Sequence, residues 1–94
     1  MINDTELGDH RIELMTQRLK QSLSPTVIFI TDDSHLHAGH AGAQSGKGHF
    51  SLEIVSEHFK GLTSIKRHQL VYKALADMIQ TDIHALSIKA NPPA

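Results

Sequence analysis

The chain of 94 residues contains no cysteine and no tryptophan, and aromatic residues make up only 4% of it. Without cysteine it forms no disulfide bond and brings no thiolate of its own to a metal site. No apolar run approaches the roughly 18 residues of a membrane-spanning helix. The net charge of −1, with histidine neutral, argues against a protein whose whole surface neutralises nucleic-acid phosphates.

These absences leave a small protein with a single core. We expect one domain over residues 1–94, with residues 1–6 and 90–94 loosely ordered. The first residues are acidic and polar, which is unlike a secretory signal or a transit peptide. Together with the lack of cysteine, this favours a location in the cytoplasm and no membrane association.

The spacing of apolar residues divides the chain into five elements. They are a helix over residues 7–23, strands over 27–31 and 50–56, a helix capped by Thr63 or Ser64 and reaching about Gln80, and a strand over 83–89. The order αββαβ predicts an α+β fold of two layers, in which the helices cover one face of a three-stranded mixed sheet.

Five of the eight histidines fall where this fold brings distant segments together. They are His35, His37, His40, His49 and His84. A strand, a helix and a further strand in one sheet usually form a right-handed parallel crossover, so the second and third strands begin at the same end of the sheet. The glycine-rich loop over residues 35–48 then lies above that end. Because imidazole is the commonest neutral metal ligand, we interpret this end as a candidate metal site.

Each part of this candidate site also has a purely structural interpretation. The loop is then a disordered insertion whose histidines are merely polar. His84 shares a strand face with Leu86 and Ile88 by the two-residue period, so it is then a core histidine bonded to backbone. A standalone zinc or nickel site is a third interpretation of the histidine cluster. Catalysis has little support, because adjacent acid, hydroxyl and imidazole groups at 32–35 do not form a relay by themselves. We therefore do not expect this protein to be an enzyme.

A second feature is a basic segment without acidic residues between Lys60 and Lys73. Its charged members are Lys60, Lys66, Arg67 and Lys73, with His68 among them. It indicates either a surface for nucleic acid or for an acidic partner, or else a solvated helix face. No aromatic side chains are interleaved for base stacking.

Four segments in this order and spacing resemble the BolA family over roughly residues 24–89. They are DDSHLHAGHAG after the first strand, GHFSLEIVSEHFKG, RHQLVYKALADMI and IHALSI. The family's motif residues fall on Phe59, Gly61, Arg67, His68, Val71 and Tyr72, and its late strand histidine falls on His84. The resemblance implies an αββαβ domain similar to the type II KH fold. Apart from Arg67, we expect these motif residues to be structural.

The resemblance also implies a function. BolA-like domains share a bridging 2Fe–2S cluster with a monothiol glutaredoxin of the CGFS type, which contributes cysteine and a bound glutathione. On this chain the implied ligands are His84 and one histidine of the loop, His37 or His49, with His35 and His40 as further candidates. The implied protein is an adaptor in cluster trafficking or in iron and redox regulation, monomeric or weakly dimeric when alone.

Other members of the BolA family are described as DNA-binding transcription regulators. On this chain that alternative depends on the basic segment. The Gly-x-x-Gly loop by which KH domains clamp RNA is missing, since residues 61–64 are Gly-Leu-Thr-Ser. RNA binding of the KH kind is therefore not expected.

Overall fold

A computed structural model describes residues 4–34 and 46–94 of the chain. The elements of these residues are α1 (Asp4–Leu23), β1 (Val27–Asp32), β2 (Gly48–Val55), α2 (Ser64–Ala74), α3 (Ala76–Thr81) and β3 (Ile83–Asn91). A turn of 3-10 helix at Glu57–Phe59 joins β2 to α2. The predicted αββαβ order is confirmed, with the second helix divided in two.

The strands in the described part of the chain form one three-stranded sheet with β2 at its centre. β1 runs antiparallel to β2, with Val27 opposite Val55 and Asp32 opposite Phe50. β3 runs parallel to β2, so the connection through α2 and α3 is the predicted crossover. The mixed sheet expected from the sequence is therefore confirmed.

The core lies between the helices and one face of this sheet. It is built from apolar side chains that recur at helical spacing in the helices and at alternate positions in β2. Its buried members are Met15, Leu19, Leu23, Phe50, Leu52, Ile54, Phe59, Val71, Leu75, Met78, Ile83 and Ala90. On the opposite face of the sheet, Val27 and Phe29 remain 49% and 64% exposed. This face is open, as expected for helices packed on one side only.

The second helix was predicted to continue to about Gln80, but it breaks at Leu75. There the backbone has φ −105° and ψ 13°, and a new helix starts at the next residue. Leu75 and Met78 are both buried, so the apolar periodicity runs through the break without a gap. The pattern therefore could not reveal it. The cap at Thr63 is confirmed, because its hydroxyl accepts the N–H of Lys66 at 3.2 Å.

All three strands extend at one end beyond the range that the apolar pattern predicted. β1 continues one residue further, to Asp32. β2 begins at Gly48, two residues before the predicted start, and β3 ends at Asn91, two residues after the predicted end. The ladder between β2 and β3 pairs Val55 with Asn91, and backbone pairing of this kind does not depend on the side chain. The expectation of loose ends at 1–6 and 90–94 was therefore partly wrong, because residues 4–6 belong to α1 and residues 90 and 91 belong to β3.

Candidate metal site

Two histidines meet where the central strand and β3 begin. We call this edge of the sheet, with Gly48 at the start of β2 and Ile83 at the start of β3, the histidine edge. The ring centroids of His49 and His84 lie 5.0 Å apart, with the ring planes inclined by 49°. The prediction that both strands begin at the same end of the sheet, with these two histidines there, is therefore confirmed.

A register shift gives His84 its place. Gly48 is opposite Ile83, but His49 is opposite Ala85, so β3 carries one extra residue at this point. Ile83 is buried whereas His84 is exposed. The two-residue period fails across the shift, since Ile83 and Leu86, three residues apart, both pack in the core, and the exposed His84 is not a core histidine. An exposed ring at the start of a strand is accessible to a partner protein and is held by rigid backbone.

The second histidine of the pair is much less accessible. His49 is the second residue of β2, at the end of the strand, and yet only 7% of it is exposed. Its ring packs against that of His84, which is the exposed member of the pair. The arrangement brings one exposed and one buried histidine to a single place.

The residues after β1 hold the backbone of His49. The hydroxyl of Ser34 accepts the N–H of His49 at 3.0 Å, and the carbonyl of His49 accepts the N–H of Asp33 at 2.7 Å. Asp33 also accepts a hydrogen bond from the hydroxyl of Ser51, and Asp32 accepts the N–H of Ser34 at 2.9 Å. These acidic and hydroxyl groups fasten the end of β1 to β2.

Sequence reasoning did not single out Arg11 in the first helix. The structure places it on the buried face, with a relative exposure of 9%. Its Nε donates to Oδ1 of Asp82 at 3.1 Å, and its Nη2 donates to the carbonyl of Gly46 at 2.7 Å. The signal was available, because Arg11 stands four residues before Met15 in the buried series that continues through Leu19.

Asp82 is the acidic partner of this arginine. Burial by itself would raise the pKa of Asp82, but hydrogen bonds from Thr81 and Arg11 and the charge of Arg11 outweigh burial and hold that pKa below its ordinary value. Asp82 is therefore a carboxylate at neutral pH. Its backbone carbonyl also accepts the N–H of Gly48 at 2.8 Å, which joins the starts of β2 and β3.

Three candidate ligands, His35, His37 and His40, lie outside the described residues. Within residues 4–34 and 46–94, no group of three or more histidine, aspartate or glutamate side chains has a geometry that could hold a metal ion. The described part of the site is thus a pair of histidines. A metal at this edge needs further ligands from elsewhere.

The basic segment divides into engaged and exposed side chains. Arg67 donates from Nε to the carbonyl of Leu62 at 3.0 Å and from Nη1 to the carbonyl of Ala90 at 3.1 Å, so its guanidinium ties α2 to the end of β3. Lys60 pairs with Glu57 at 3.0 Å on the surface. The side chains of Lys66 and Lys73 are exposed on α2. Fewer positive charges of this segment are therefore available to a partner than the sequence alone indicates.

The remaining residues of the family motif lie around the turn and the second helix. Phe59 and Val71 are fully buried in the core, and His68 is half-buried. Gly61 has φ +74°, a left-handed conformation that glycine adopts without strain. Tyr72 is 42% exposed on α2, so its ring faces outward at least in part.

A search of the described helices finds none that is both long and apolar enough to cross a bilayer.

Comparison with known proteins agrees with the fold. The family model described as BolA-like protein matches residues 19–94. Protein BOLA1 of Arabidopsis thaliana, named as chloroplastic, is 38% identical over 98% of this chain and 59% of its own length. The DNA-binding transcriptional regulator BolA of Haemophilus influenzae is 32% identical over 86% of this chain and 76% of its own length.

A longer plant protein contains a matching domain. SufE-like protein 1 of Arabidopsis thaliana, named as chloroplastic and mitochondrial, is 38% identical over 99% of this chain but only 28% of its own length. The solved BolA domain of SufE1 superposes with a TM-score of 0.78 at 35% identity, covering 99% of this chain and 96% of that domain. The chain thus spans well under two thirds of either plant relative, and it belongs to the BolA-like family.

Proposed function

We propose that this protein is an adaptor that joins a monothiol CGFS glutaredoxin and shares a bridging 2Fe–2S cluster with it. The observation that carries the proposal is the pair of imidazole rings 5.0 Å apart at the histidine edge. His84, exposed on a rigid strand, is the fixed ligand. The second ligand is His37 or His49, of which His49 lies at the start of β2, with His35 and His40 as alternatives.

The donor chemistry at this edge fits such a cluster. Histidine replaces cysteine on one iron of a 2Fe–2S centre in Rieske proteins, where it raises the reduction potential. The chain has no cysteine, so every thiolate must come from the glutaredoxin and its glutathione. The shared cluster would then supply the iron–sulfur chemistry, and this chain would supply the histidine nitrogens and hold them in position. It needs no catalytic residue, which agrees with an adaptor and not an enzyme.

The placement of the two histidines gives each a separate task. His84 presents its ring to the partner. His49 is held by hydrogen bonds of its backbone to Ser34 and Asp33, so its ring is fixed behind His84. Metal affinity at protein ligands depends on pH in general, and acid is expected to weaken the shared site. Such a site can release its cargo more readily than one with four thiolates.

Visible absorption and circular dichroism test the proposal. The protein is mixed anaerobically with a CGFS glutaredoxin, glutathione, iron and sulfide. We expect a spectrum distinct from that of the glutaredoxin homodimer, lost in His84→Ala and altered in His49→Ala. His58→Ala is the matched control, because His58 is exposed on the 3-10 turn beyond the other end of β2. A homodimer spectrum from the wild-type mixture contradicts the proposal.

DNA binding is the second candidate function. It is favoured by the Haemophilus influenzae relative, which is named as a DNA-binding regulator, and by the exposed Lys66 and Lys73 on α2. Binding to duplex DNA through phosphates must weaken steeply with added salt. The variant Lys66→Glu/Lys73→Glu is expected to abolish it, with Lys20→Glu as a control on α1. An affinity for DNA that changes neither with added salt nor with these substitutions contradicts this function.

The proposal includes a cellular location and an assembly state. We propose that the adaptor acts in the cytoplasm and is a monomer or weak homodimer until it meets its partner. Fractionation of the cells that make it tests the location, and sedimentation of the isolated protein tests the assembly state. A stable dimer that occludes His84 contradicts the second statement.

A further inference from the structure

We propose that Arg11 is a positioning residue for the histidine edge: its guanidinium holds the starts of β2 and β3 in register and so sets the separation of the His49 and His84 rings. The part of this inference that concerns cluster binding rests on the proposed function. The part that concerns the position of the rings does not. Arg11 also precedes residues 19–94, the part of the chain that the BolA-like family model matches.

The contacts of Arg11 reach the segment before each histidine. Nη2 donates to the carbonyl of Gly46 at 2.7 Å, three residues before His49. Nε donates to the carboxylate of Asp82 at 3.1 Å, two residues before His84. One side chain of α1 therefore connects the backbone before β2 with the side chain before β3.

A second connection makes this geometry sensitive to Arg11. The N–H of Gly48 donates to the carbonyl of Asp82 at 2.8 Å, so the position of Asp82 is transmitted directly to the start of β2. The side chains of Arg11 and Asp82 are 11% and 28% exposed. Removing the arginine leaves a partly buried carboxylate without its cation, and such a group moves toward water. We expect both strand starts to shift with it.

The guanidinium suits this task better than an ammonium. Its planar fork donates in two fixed directions at once, to a carboxylate on one side and a carbonyl on the other, whereas lysine offers one compact charge on a flexible stem. Arg11→Lys should keep the ion pair with Asp82 and lose the hold on Gly46. Arg11→Met should lose both contacts while it keeps a long apolar stem in the buried position.

The direct test is the nuclear Overhauser effect between the imidazole protons of His49 and His84 in the isolated protein. We expect a clear effect in the wild type, a weaker one in Arg11→Lys and loss in Arg11→Met. Arg18→Met is the matched control, because Arg18 lies on the same helix but pairs with Asp77 at 2.7 Å and donates to the carbonyl of Leu14, not to Gly46 or Asp82. A nuclear Overhauser effect of unchanged strength in Arg11→Met overturns the inference. If that variant does not fold, an unchanged effect in Arg11→Lys overturns it.

The second measurement separates this inference from the proposed function. In the mixture with CGFS glutaredoxin, the lifetime of the shared visible spectrum should fall roughly 10- to 100-fold in Arg11→Met, as when outer-shell partners of metal ligands are removed. If the wild type forms no shared cluster, the proposed function fails and the ring-to-ring effect alone decides on Arg11. If the cluster forms and its lifetime is unchanged in Arg11→Met, the inference is overturned.

Discussion

The two ends of the central strand are built differently. Beyond the end of β2, Ser56 is fully buried, and its hydroxyl donates to the carbonyl of Leu23 at 2.5 Å and accepts the N–H of His58 at 3.1 Å. Its own N–H donates to the carbonyl of Asn91 at 3.1 Å. We call this end, with Ser56, Phe59 and the guanidinium of Arg67, the closed end.

The histidine edge is secured instead by a charged pair and leaves a ring exposed. Arg11 and Asp82 connect its segments, and His84 is open to solvent. At the closed end, the Ser56 hydroxyl and the Arg67 guanidinium donate to backbone carbonyls, and the Phe59 ring fills the space between them and the core. The closed end is thus built for stability, whereas the histidine edge keeps polar groups accessible at some cost in stability.

The largest effect is expected from Phe59→Ala at the closed end. Phe59 is fully buried, so its removal leaves a cavity and should lower the free energy of unfolding by about 3–5 kcal/mol. Urea denaturation followed by circular dichroism measures the loss. Phe29→Ala is the matched control, because Phe29 is 64% exposed on the open face of the sheet. An equal loss in both variants would mean that another molecule covers the open face in solution.

A smaller loss is expected from Ser56→Ala. The substitution removes one hydroxyl and leaves the buried carbonyl of Leu23 without that donor and the N–H of His58 without that acceptor. Groups left unsatisfied in this way cost about 1–3 kcal/mol of unfolding free energy. Ser87→Ala, on an exposed position of β3, serves as the control and should change little. A loss no larger than that control would show that water replaces the hydroxyl.

Gly48→Ala tests how tightly the histidine edge packs onto the core. An added Cβ would lie 2.5 Å from Cε2 of the Phe50 ring and 3.3 Å from the hydroxyl of Ser34. Phe50 is 2% exposed and has little room to yield, so we expect a loss of about 1–3 kcal/mol. Phe50→Leu should rescue part of it in a double-mutant cycle. Additive losses would show that the backbone of Gly48, and not the ring, takes up the strain.

The same comparison explains what the sequence could reveal. The elements, the crossover and the meeting of His49 with His84 follow from periodicity, because alternate apolar residues and a connecting helix define which ends of the strands coincide. The register shift before His49 does not change the pattern of residue types, so it could not be predicted. Arg11 was missed because a charged residue is usually exposed, whereas the carboxylate that lets this one be buried is 71 residues away.

The smallest effect concerns pH and separates the two aspartates that pair with α1. Because the pKa of Asp82 in the folded protein lies below its ordinary value of 3.8, its ionised form stabilises the fold above that pH, and this contribution disappears as the pH falls through the folded pKa. Wild type should therefore be more stable than Asp82→Asn at pH 7 and indistinguishable from it in strong acid. Urea denaturation across this range measures the difference.

Asp77 provides the control for this titration. The hydrogen bonds from Arg18 hold the pKa of Asp77 below its ordinary value too, but this pair is exposed and is screened by water and salt. Asp77→Asn should thus change stability less than Asp82→Asn, and added salt should reduce its effect more. The reverse order would place the electrostatic contribution on the outer surface of α1 and α3, and the histidine edge would then depend on packing and not on its buried charge.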